Sequence, residues 1–345
     1  MANIVSRALA RQRRFYKQCS LVSDLASNAV RQSVNCFTTS NPSLTYTTTS
    51  LSEVVSQVQE KLSAAGVPEP DLSAKYLVSR SLLAPSDKTT PVLASDWTKE
   101  EAISLNQEQA DLLDKLVQCR LSRMPVQYIL GNWDFHNITL KVRPPVFIPR
   151  PETEELVDLV LSSLPPPSGE EIHLLEVGPG TGAVSLAILS ARQDLRVTCV
   201  ERSLAALELT RDNAALLGLE DRVKLVQGKV EPGAELSDLA DKYHLVFSNP
   251  PYILRKDLVS LAPEIFLYED LRALDGGAEG LDVILPILEL AGAKLESGGL
   301  VMLEVDPCHP HLIPSKLDSL STKFVVDKVK KDIRGKDRFM VLRKI

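Results

Sequence analysis

Residues Ser248-Asn249-Pro250-Pro251-Tyr252 put a planar amide, two prolines and an aromatic ring at the end of the apolar run Leu245-Val246-Phe247, which reads as a short buried strand. Proline fixes φ and donates no backbone hydrogen bond. The Asn249 side-chain oxygen and the Pro250 carbonyl are therefore left to accept from a flat NH2 group, with the aromatic face of Tyr252 beside it. Such a corner suits an amide or an exocyclic amine. No histidine, lysine or cysteine adjoins Asn249, so the chemistry expected is orientation of a nitrogen rather than its activation by a strong base.

A second cluster lies upstream. Leu174-Leu175-Glu176-Val177 runs into Gly178-Pro179-Gly180-Thr181-Gly182 and then into apolar residues at helical spacing. Glycines at a strand-to-helix turn let the backbone approach a ligand lying across the strand ends. Pro179 removes an amide donor where a pyrophosphate would need one, which points away from a dinucleotide cradle. Glu201 ends the next apolar run, 19 residues after Gly182. A carboxylate there can accept from both hydroxyls of a ribose; the alternative is a solvated acid ahead of the Ser203-led helix. Glycine turn and acid together imply an adenosine-containing cofactor.

These residues need a framework that brings strand ends together. Residues 172–345 alternate strands and helices in the manner of a doubly wound α/β domain. Strands are expected over 172–177, 196–200, 223–226, 244–248, 299–305, 324–329 and 338–342, and helices over 183–191, 204–217, 235–241, 281–295 and 310–320. Only eight residues separate the last two strands, so they should close the sheet as an antiparallel hairpin. Upstream, Val54, Val55, Val58 and Leu62 mark a helix from Leu51 that Gly66 and Pro68 end, and a second helix fits 71–83. A third is expected to start at Thr98, which has capping-box spacing to Glu101, and to run through Ile103 and Leu105 towards Arg123. From Pro125 the pattern changes to period two, through Trp133, Phe135, Ile138, Leu140 and Val142 and on to Val146-Phe147-Ile148, which reads as a hairpin ending in Pro149-Arg150-Pro151-Glu152-Thr153. The expected organisation is a leader over 1–50, a helical docking domain over 51–124, a hairpin linker over 125–168 and the α/β domain over 169–345.

Composition narrows the classes. Of 345 residues, 44% are hydrophobic and 24% charged, ordinary for a globular chain, and no apolar run is long enough for a membrane span. Residues 1–50 carry Arg7, Arg11, Arg13, Arg14, Lys17 and Arg31 against Asp24 alone; this net of +5, within −6 overall, leaves −11 for the remainder. An Arg- and Ser/Thr-rich, acid-poor start interleaved with apolar residues is the composition of a mitochondrial transit peptide, and of a disordered basic tail. Cys19, Cys36, Cys119, Cys199 and Cys308 are scattered without CxxC spacing, which argues against a disulfide framework or a zinc site. The proline within His309-Pro310-His311 makes a plain loop the reading of this segment, so no metal is expected.

A glycine turn after the first strand, an acid after the second and Asn-Pro-Pro-Tyr after the fourth is the arrangement of S-adenosylmethionine-dependent enzymes that methylate planar nitrogens. The chain over residues 50–345 resembles the HemK-type (PrmC) glutamine N5-methyltransferases of peptide-release factors, most closely their animal mitochondrial form. The matching motifs are Pro125-Val126-Gln127-Tyr128-Ile129-Leu130-Gly131, Phe147-Ile148-Pro149-Arg150-Pro151-Glu152-Thr153-Glu154, the glycine turn, Asn249 to Ile253, Ala273-Leu274-Asp275-Gly276-Gly277 with Gly280-Leu281-Asp282, and Leu303-Glu304-Val305-Asp306-Pro307. The chain departs from many relatives in having Glu176 for aspartate and Lys229-Val230 where an acidic-aromatic pair is usual. The resemblance implies a Rossmann-like class I methyltransferase domain with a mostly parallel seven-stranded sheet, S-adenosyl-L-methionine as cofactor, a mitochondrial release factor as protein substrate, and a monomer in the matrix without nucleic acid or membrane partners. It implies that Gly178, Pro179, Gly180, Thr181, Gly182, Glu201 and Asn249 hold the cofactor. Asn249, Pro250 and Tyr252 would act at the reacting nitrogen, with Pro251, Phe147, Arg150 and Glu152 lining the substrate site; an ion-pairing role for Arg150 and Glu152 is the alternative. Two other functions stay open: methylation of a base amino group, and a catalytically silent scaffold for translation factors. The acidic remainder argues against a polyphosphate partner.

Overall fold

The computed structural model describes residues 49–83, 102–103, 105–232, 236, 238–240 and 242–345. Two compact units emerge: one from the described part of Met1–Trp133 with Val142–Pro144 and Ala262–Tyr268, the other from the remaining residues of 134–345. The transit-peptide reading of residues 1–48 and the Thr98–Glu101 capping box lie outside the described residues.

In the first unit, α1 (Leu51–Ala64) starts at a capping box: Glu53 N–H donates to Ser50 Oγ and Ser50 N–H to the Glu53 carboxylate. Its expected face, Val54, Val55, Val58 and Leu62, is buried against Leu77 and Val78 of α2 (Pro70–Leu82) and Leu113 and Val117 of α3 (Gln107–Leu121). The third helix starts later than the apolar pattern suggests. Asn106 and Gln109 form its capping box, and Ala102–Ile103 instead pairs antiparallel with Thr49–Ser50, ahead of the boundary expected after residue 50. The period-two reading also begins too early, because Val126–Leu130 is a short helix, α4, which Gly131 ends at φ +80°. Proline ahead of its first turn and glycine after its last favour helix over strand.

The hairpin strands Asn132–Phe135 and Ile138–Lys141 pair as expected, but Val146-Phe147-Ile148 forms no strand. After it come α5 (Glu154–Ser163), preceded by a 3-10 turn over Pro151–Thr153, and the large sheet of the second unit. Its strands are β1 (Ile172–Val177), β2 (Leu195–Glu201), β3 (Val223–Gln227), β4 (Tyr243–Ser248), β5 (Leu295–Glu304), β6 (Phe324–Lys331) and β7 (Asp337–Lys344), in spatial order β6-β7-β5-β4-β1-β2-β3. All pairings from β3 to β5 are parallel, and β7 runs antiparallel to both its neighbours. The α/β Rossmann-like, mostly parallel seven-stranded fold is as expected, with one addition: the last strand inserts between β5 and β6 and leaves β6 at the edge.

Helices cover both faces of the sheet, which is why its central strands read as continuous apolar runs. On one face Leu174, Leu245, Phe247 and Met302 pack with α5 and α6 (Ala183–Ala191); on the other Leu175, Val246, Val301 and Leu303 pack with α8 (Ile284–Lys294). The helix α7 (Leu204–Leu217) follows β2 with Ser203 as its cap. Of the helix expected over 235–241, the described residues 236 and 238–240 are not helical. The helix expected over 310–320 is two short ones, His309–Leu312 and Pro314–Leu317.

The short helix Pro263–Tyr268, remote in sequence, belongs to the first unit. Its Glu264 meets two guanidiniums: Arg123 grips both carboxylate oxygens at 2.8 and 3.0 Å, and Arg120 Nη1 donates at 3.1 Å. Burial opposes ionisation of Glu264, but the hydrogen bonds from Arg123 and Arg120 outweigh it and hold the carboxyl below its usual range. Arg120, buried at 4% exposure, also donates to Ser73 Oγ and to the Met124 and Pro68 carbonyls. Removing it strands several acceptors at once. Arg120→Ala should lower the unfolding free energy by about 3 kcal/mol in urea denaturation, and an unchanged midpoint would contradict this bracing role.

Candidate active site

Parallel pairing brings the C-terminal ends of β1, β2 and β4 to one edge of the sheet, where the strand order reverses about β1. Two bonds hold these ends: Gly178 N–H donates to the Val200 carbonyl (2.8 Å) and the Ser248 hydroxyl to the Val177 carbonyl (2.6 Å). The glycine turn, Glu201 and Asn249 therefore emerge side by side.

The turn takes its shape from backbone that only glycine adopts freely: φ is +74° at Gly178, +61° at Gly180 and +83° at Gly182. A Cβ at Gly178 or Gly180 would meet nothing within 4 Å, so the turn exposes bare backbone to open space. Thr210 of α7 braces it from behind by donating to the Gly180 carbonyl (3.0 Å), and Asn213 donates to the Thr181 carbonyl (2.9 Å). Glu201 is also fixed: Oε2 accepts from Gly180 N–H (3.3 Å) and Oε1 from Ser203 N–H (2.8 Å). Each oxygen keeps a lone pair for a ribose hydroxyl. Bare turn and prepositioned carboxylate fit an adenosine-containing cofactor. Lys229 pairs with Glu231.

At the end of β4, Asn249 Nδ2 donates to Thr153 Oγ1 (3.0 Å), which turns Oδ1 away from that contact. Thr153 in turn donates to Glu304 Oε2 (2.8 Å), and the Tyr252 hydroxyl donates to Glu304 Oε1 (3.0 Å). Burial and the Glu304 charge push the Tyr252 phenol well above its ordinary range, so it keeps its proton. Arg338 lies 5.8 Å from the centre of the Tyr252 ring. Behind the corner, the Ala273-to-Asp282 segment packs on the backbone itself. A Cβ at Gly276 would come within 2.8 Å of the Pro251 oxygen and Tyr252 Cα, so that glycine is required by close approach. His309, wholly buried, spans from the Asp306 N–H to the Glu279 carbonyl and ties this segment to the chain after β5.

The other expected site residues engage partners within the fold. Arg150 donates to Glu269 (2.6 Å) with its guanidinium 4.6 Å over the Phe147 ring, and Glu152 pairs with Arg334 from the β6–β7 connection (2.9 Å). Glu269 also accepts from Ile148 N–H (3.4 Å) and so anchors both ends of the Ile148–Arg150 segment. The sequence reading missed Thr153, Glu269, Glu304 and Arg338 as site residues. For Glu304 a signal exists: a carboxylate inside the apolar run Val301-Met302-Leu303-Glu304-Val305 has to be buried with partners. Glu269 and Arg338 carry no such mark.

Comparison with known proteins finds two matching family models and several similar proteins. Residues 53–131 match the family model described as PrmC N-terminal domain, and residues 137–279 match the Methyltransferase small domain. The MTRF1L release factor glutamine methyltransferase of Homo sapiens is 41% identical over 301 residues, spanning 85% of this chain and 87% of that protein. The release factor glutamine methyltransferase of Deinococcus radiodurans is 34% identical over 294 residues, spanning 85% and 98%. Among solved structures, a methyltransferase from Pyrococcus furiosus aligns at 19% identity and TM-score 0.39, over 59% of this chain and 87% of that one.

Glu176 gives the site a measurable pH signature. The carboxyl is 2% exposed on β1 and accepts from the Ser185 hydroxyl; burial pushes it up from 4.5 to about 7 despite that bond. The folded chain therefore holds this proton more tightly than the unfolded chain. Its contribution to stability is complete below pH 4.5 and is lost as pH rises through about 7, a loss of about 3 kcal/mol. Glu176→Gln should remove this component. Urea denaturation at about pH 5 and about pH 8 should give a smaller difference for the variant than for the wild type; equal differences would contradict the assignment.

Proposed function

Since the chain belongs to the release factor glutamine methyltransferase family, we propose that it methylates the N5 nitrogen of the glutamine in a release factor's Gly-Gly-Gln motif, within the mitochondrial matrix. S-adenosylmethionine is the methyl donor and, when bound, supplies an electrophilic sulfonium methyl group. Gly178, Pro179, Gly180, Thr181 and Gly182 bind it along their bare backbone, with Glu201 on the ribose hydroxyls and Asn249 bordering the same space.

One observation carries the catalytic reading: Asn249 spends its NH2 on Thr153, which leaves Oδ1 as an acceptor at the strand end next to the glycine turn. A glutamine amide is a poor nucleophile because its lone pair is delocalised into the carbonyl. Asn249 Oδ1 and the Pro250 carbonyl would accept its two hydrogens and fix the orientation of the nitrogen at the strand end. Orientation of this kind can supply about 7 kcal/mol of the barrier. The two carbonyl dipoles also stabilise positive charge growing on the nitrogen. Pro251 keeps the corner rigid, and Tyr252 and Phe147 flank the glutamine side chain. Arg150 and Glu152, held by Glu269 and Arg334, form the wall against the substrate backbone.

Residues 51–124 form the docking domain that grips the release factor, in keeping with the match of residues 53–131 to the PrmC N-terminal domain. Residues 1–50 are the transit peptide; their net charge of +5 supports this. The chain works as a monomer on a protein and uses neither nucleic acid nor membrane. The charge of −11 outside the leader favours a basic protein partner, and no helix among the described residues is long and apolar enough to cross a membrane.

Asn249→Ala should lower turnover about 100- to 1,000-fold, the loss seen when one preorganised contact to the developing charge is removed, while calorimetric affinity for S-adenosylmethionine stays within about twofold. Label from the methyl donor should enter a mitochondrial release factor and disappear when its Gly-Gly-Gln glutamine is changed. Label that persists would overturn the substrate, transfer to a nucleic-acid base would favour the amino-base reading, and absence of cofactor binding would favour the silent scaffold.

A further inference from the structure

The hydrogen bonds behind Asn249 have a direction, and it is set at a residue that does not reach the substrate corner. Glu304, the last residue of β5 and 2% exposed, accepts on both oxygens, from Thr153 and from Tyr252. Burial raises the proton affinity of Glu304 and the Arg338 charge lowers it; in its ionised form the carboxylate has no proton to give, and a threonine hydroxyl has only one. The Thr153 proton is therefore committed to Glu304, and Thr153 meets Asn249 with lone pairs alone. Asn249 then has a single satisfactory orientation, with Nδ2 towards Thr153. Flipping the amide would set oxygen against oxygen with no proton between them.

We infer that Glu304, acting through Thr153, is a positioning residue that dictates which end of the Asn249 amide faces the substrate nitrogen. The inference rests on the reading of Asn249 Oδ1 as the acceptor of the substrate NH2. The same carboxylate fixes Tyr252, so both side chains of the Asn-Pro-Pro-Tyr corner take their orientation from one anchor on the next strand. Arg338 completes it: Nη1 reaches the Tyr252 hydroxyl (3.5 Å) and the Val305 carbonyl (3.1 Å), and Nε donates to Asp332 (3.2 Å), which keeps a positive charge beside the acceptor. A network serving stability alone would have no need of one polarity, because Thr153 could equally accept from Glu304 and donate to Asn249 if the carboxyl were neutral.

The test uses the full chain with S-adenosylmethionine and an intact release factor, and compares Thr153→Val, Thr153→Ser and Glu304→Gln with Asn249→Ala. Valine keeps the shape of threonine without the hydroxyl; glutamine keeps the shape of glutamate but can donate as well as accept. The expected result is a fall in kcat of about 10- to 100-fold for Thr153→Val and Glu304→Gln, with KM for the methyl donor within about twofold of wild type and Thr153→Ser recovering most of the rate. Wild-type kcat in Thr153→Val and Glu304→Gln, alongside an inactive Asn249→Ala, would overturn this inference and leave the proposed function standing. Equal losses of thermal stability and cofactor affinity in all three Thr153 and Glu304 variants, serine included, would also overturn it by making the network structural. Substantial activity in Asn249→Ala would remove the proposed role of Asn249, and this inference with it.

Discussion

Parallel pairing of Ile172–Val177 with Leu195–Glu201 on one side and Tyr243–Ser248 on the other obliges all three strands to end at the same edge. Everything chemical in the molecule depends on that edge. The chain leaving the first strand is the glycine turn, the second ends in Glu201, and the third opens into Asn249. Antiparallel pairing at either join would send one of the three to the opposite side of the sheet. The register is in turn locked by burial on both faces, because a slip of one residue would exchange Leu174 with Leu175, and Phe247 with Val246, between two separate cores.

Around this edge the fold buries carboxylates, and burial raises the proton affinity of Glu176, Glu201, Glu269 and Glu304 alike. Such groups are a poor way to gain stability, since packed apolar residues would serve as well or better. What they supply is direction. Glu201 collects the Gly180 and Ser203 amides and so sets the mouth of the turn, Glu269 joins Ile148 to Arg150, and Glu304 orders Thr153 and Tyr252. In its ionised form such a carboxylate is an acceptor with no proton and leaves its neighbours no choice of polarity, which matters where an amide has to be presented one way round.

Much of the second unit is legible in the sequence because its signals are local. The strand Ile172–Val177 and the helices Ala183–Ala191 and Leu204–Leu217 fall where periodicity, a glycine turn and a serine cap put them. The failures have local causes too. The helix of residues Val126–Leu130 is too short for a helical period to separate from alternation. Ile103 and Leu105 continue an apolar spacing that looks helical, but the Asn106 capping box starts the helix after them, and backbone pairing with Thr49–Ser50 claims Ala102–Ile103. Of the four partners missed around the site, only Glu304 advertises itself, as an acid within an apolar strand.

The sequence by itself determined the chemistry available: a planar amide between a strand and two prolines, a glycine turn, an acid after the second strand, and the family motifs that join them. These are properties of residue types and short spacings, and they survive without coordinates. Only the tertiary structure decided how those groups are held. That Thr153, Asn249, Tyr252 and Glu304 share one hydrogen-bonded chain, that Glu264 serves the N-terminal unit, and that the last strand inserts inside the sheet edge are facts of long-range pairing. Hydrogen-bond direction depends on which donors and acceptors meet, and residues far apart in the chain meet only once the sheet order is set.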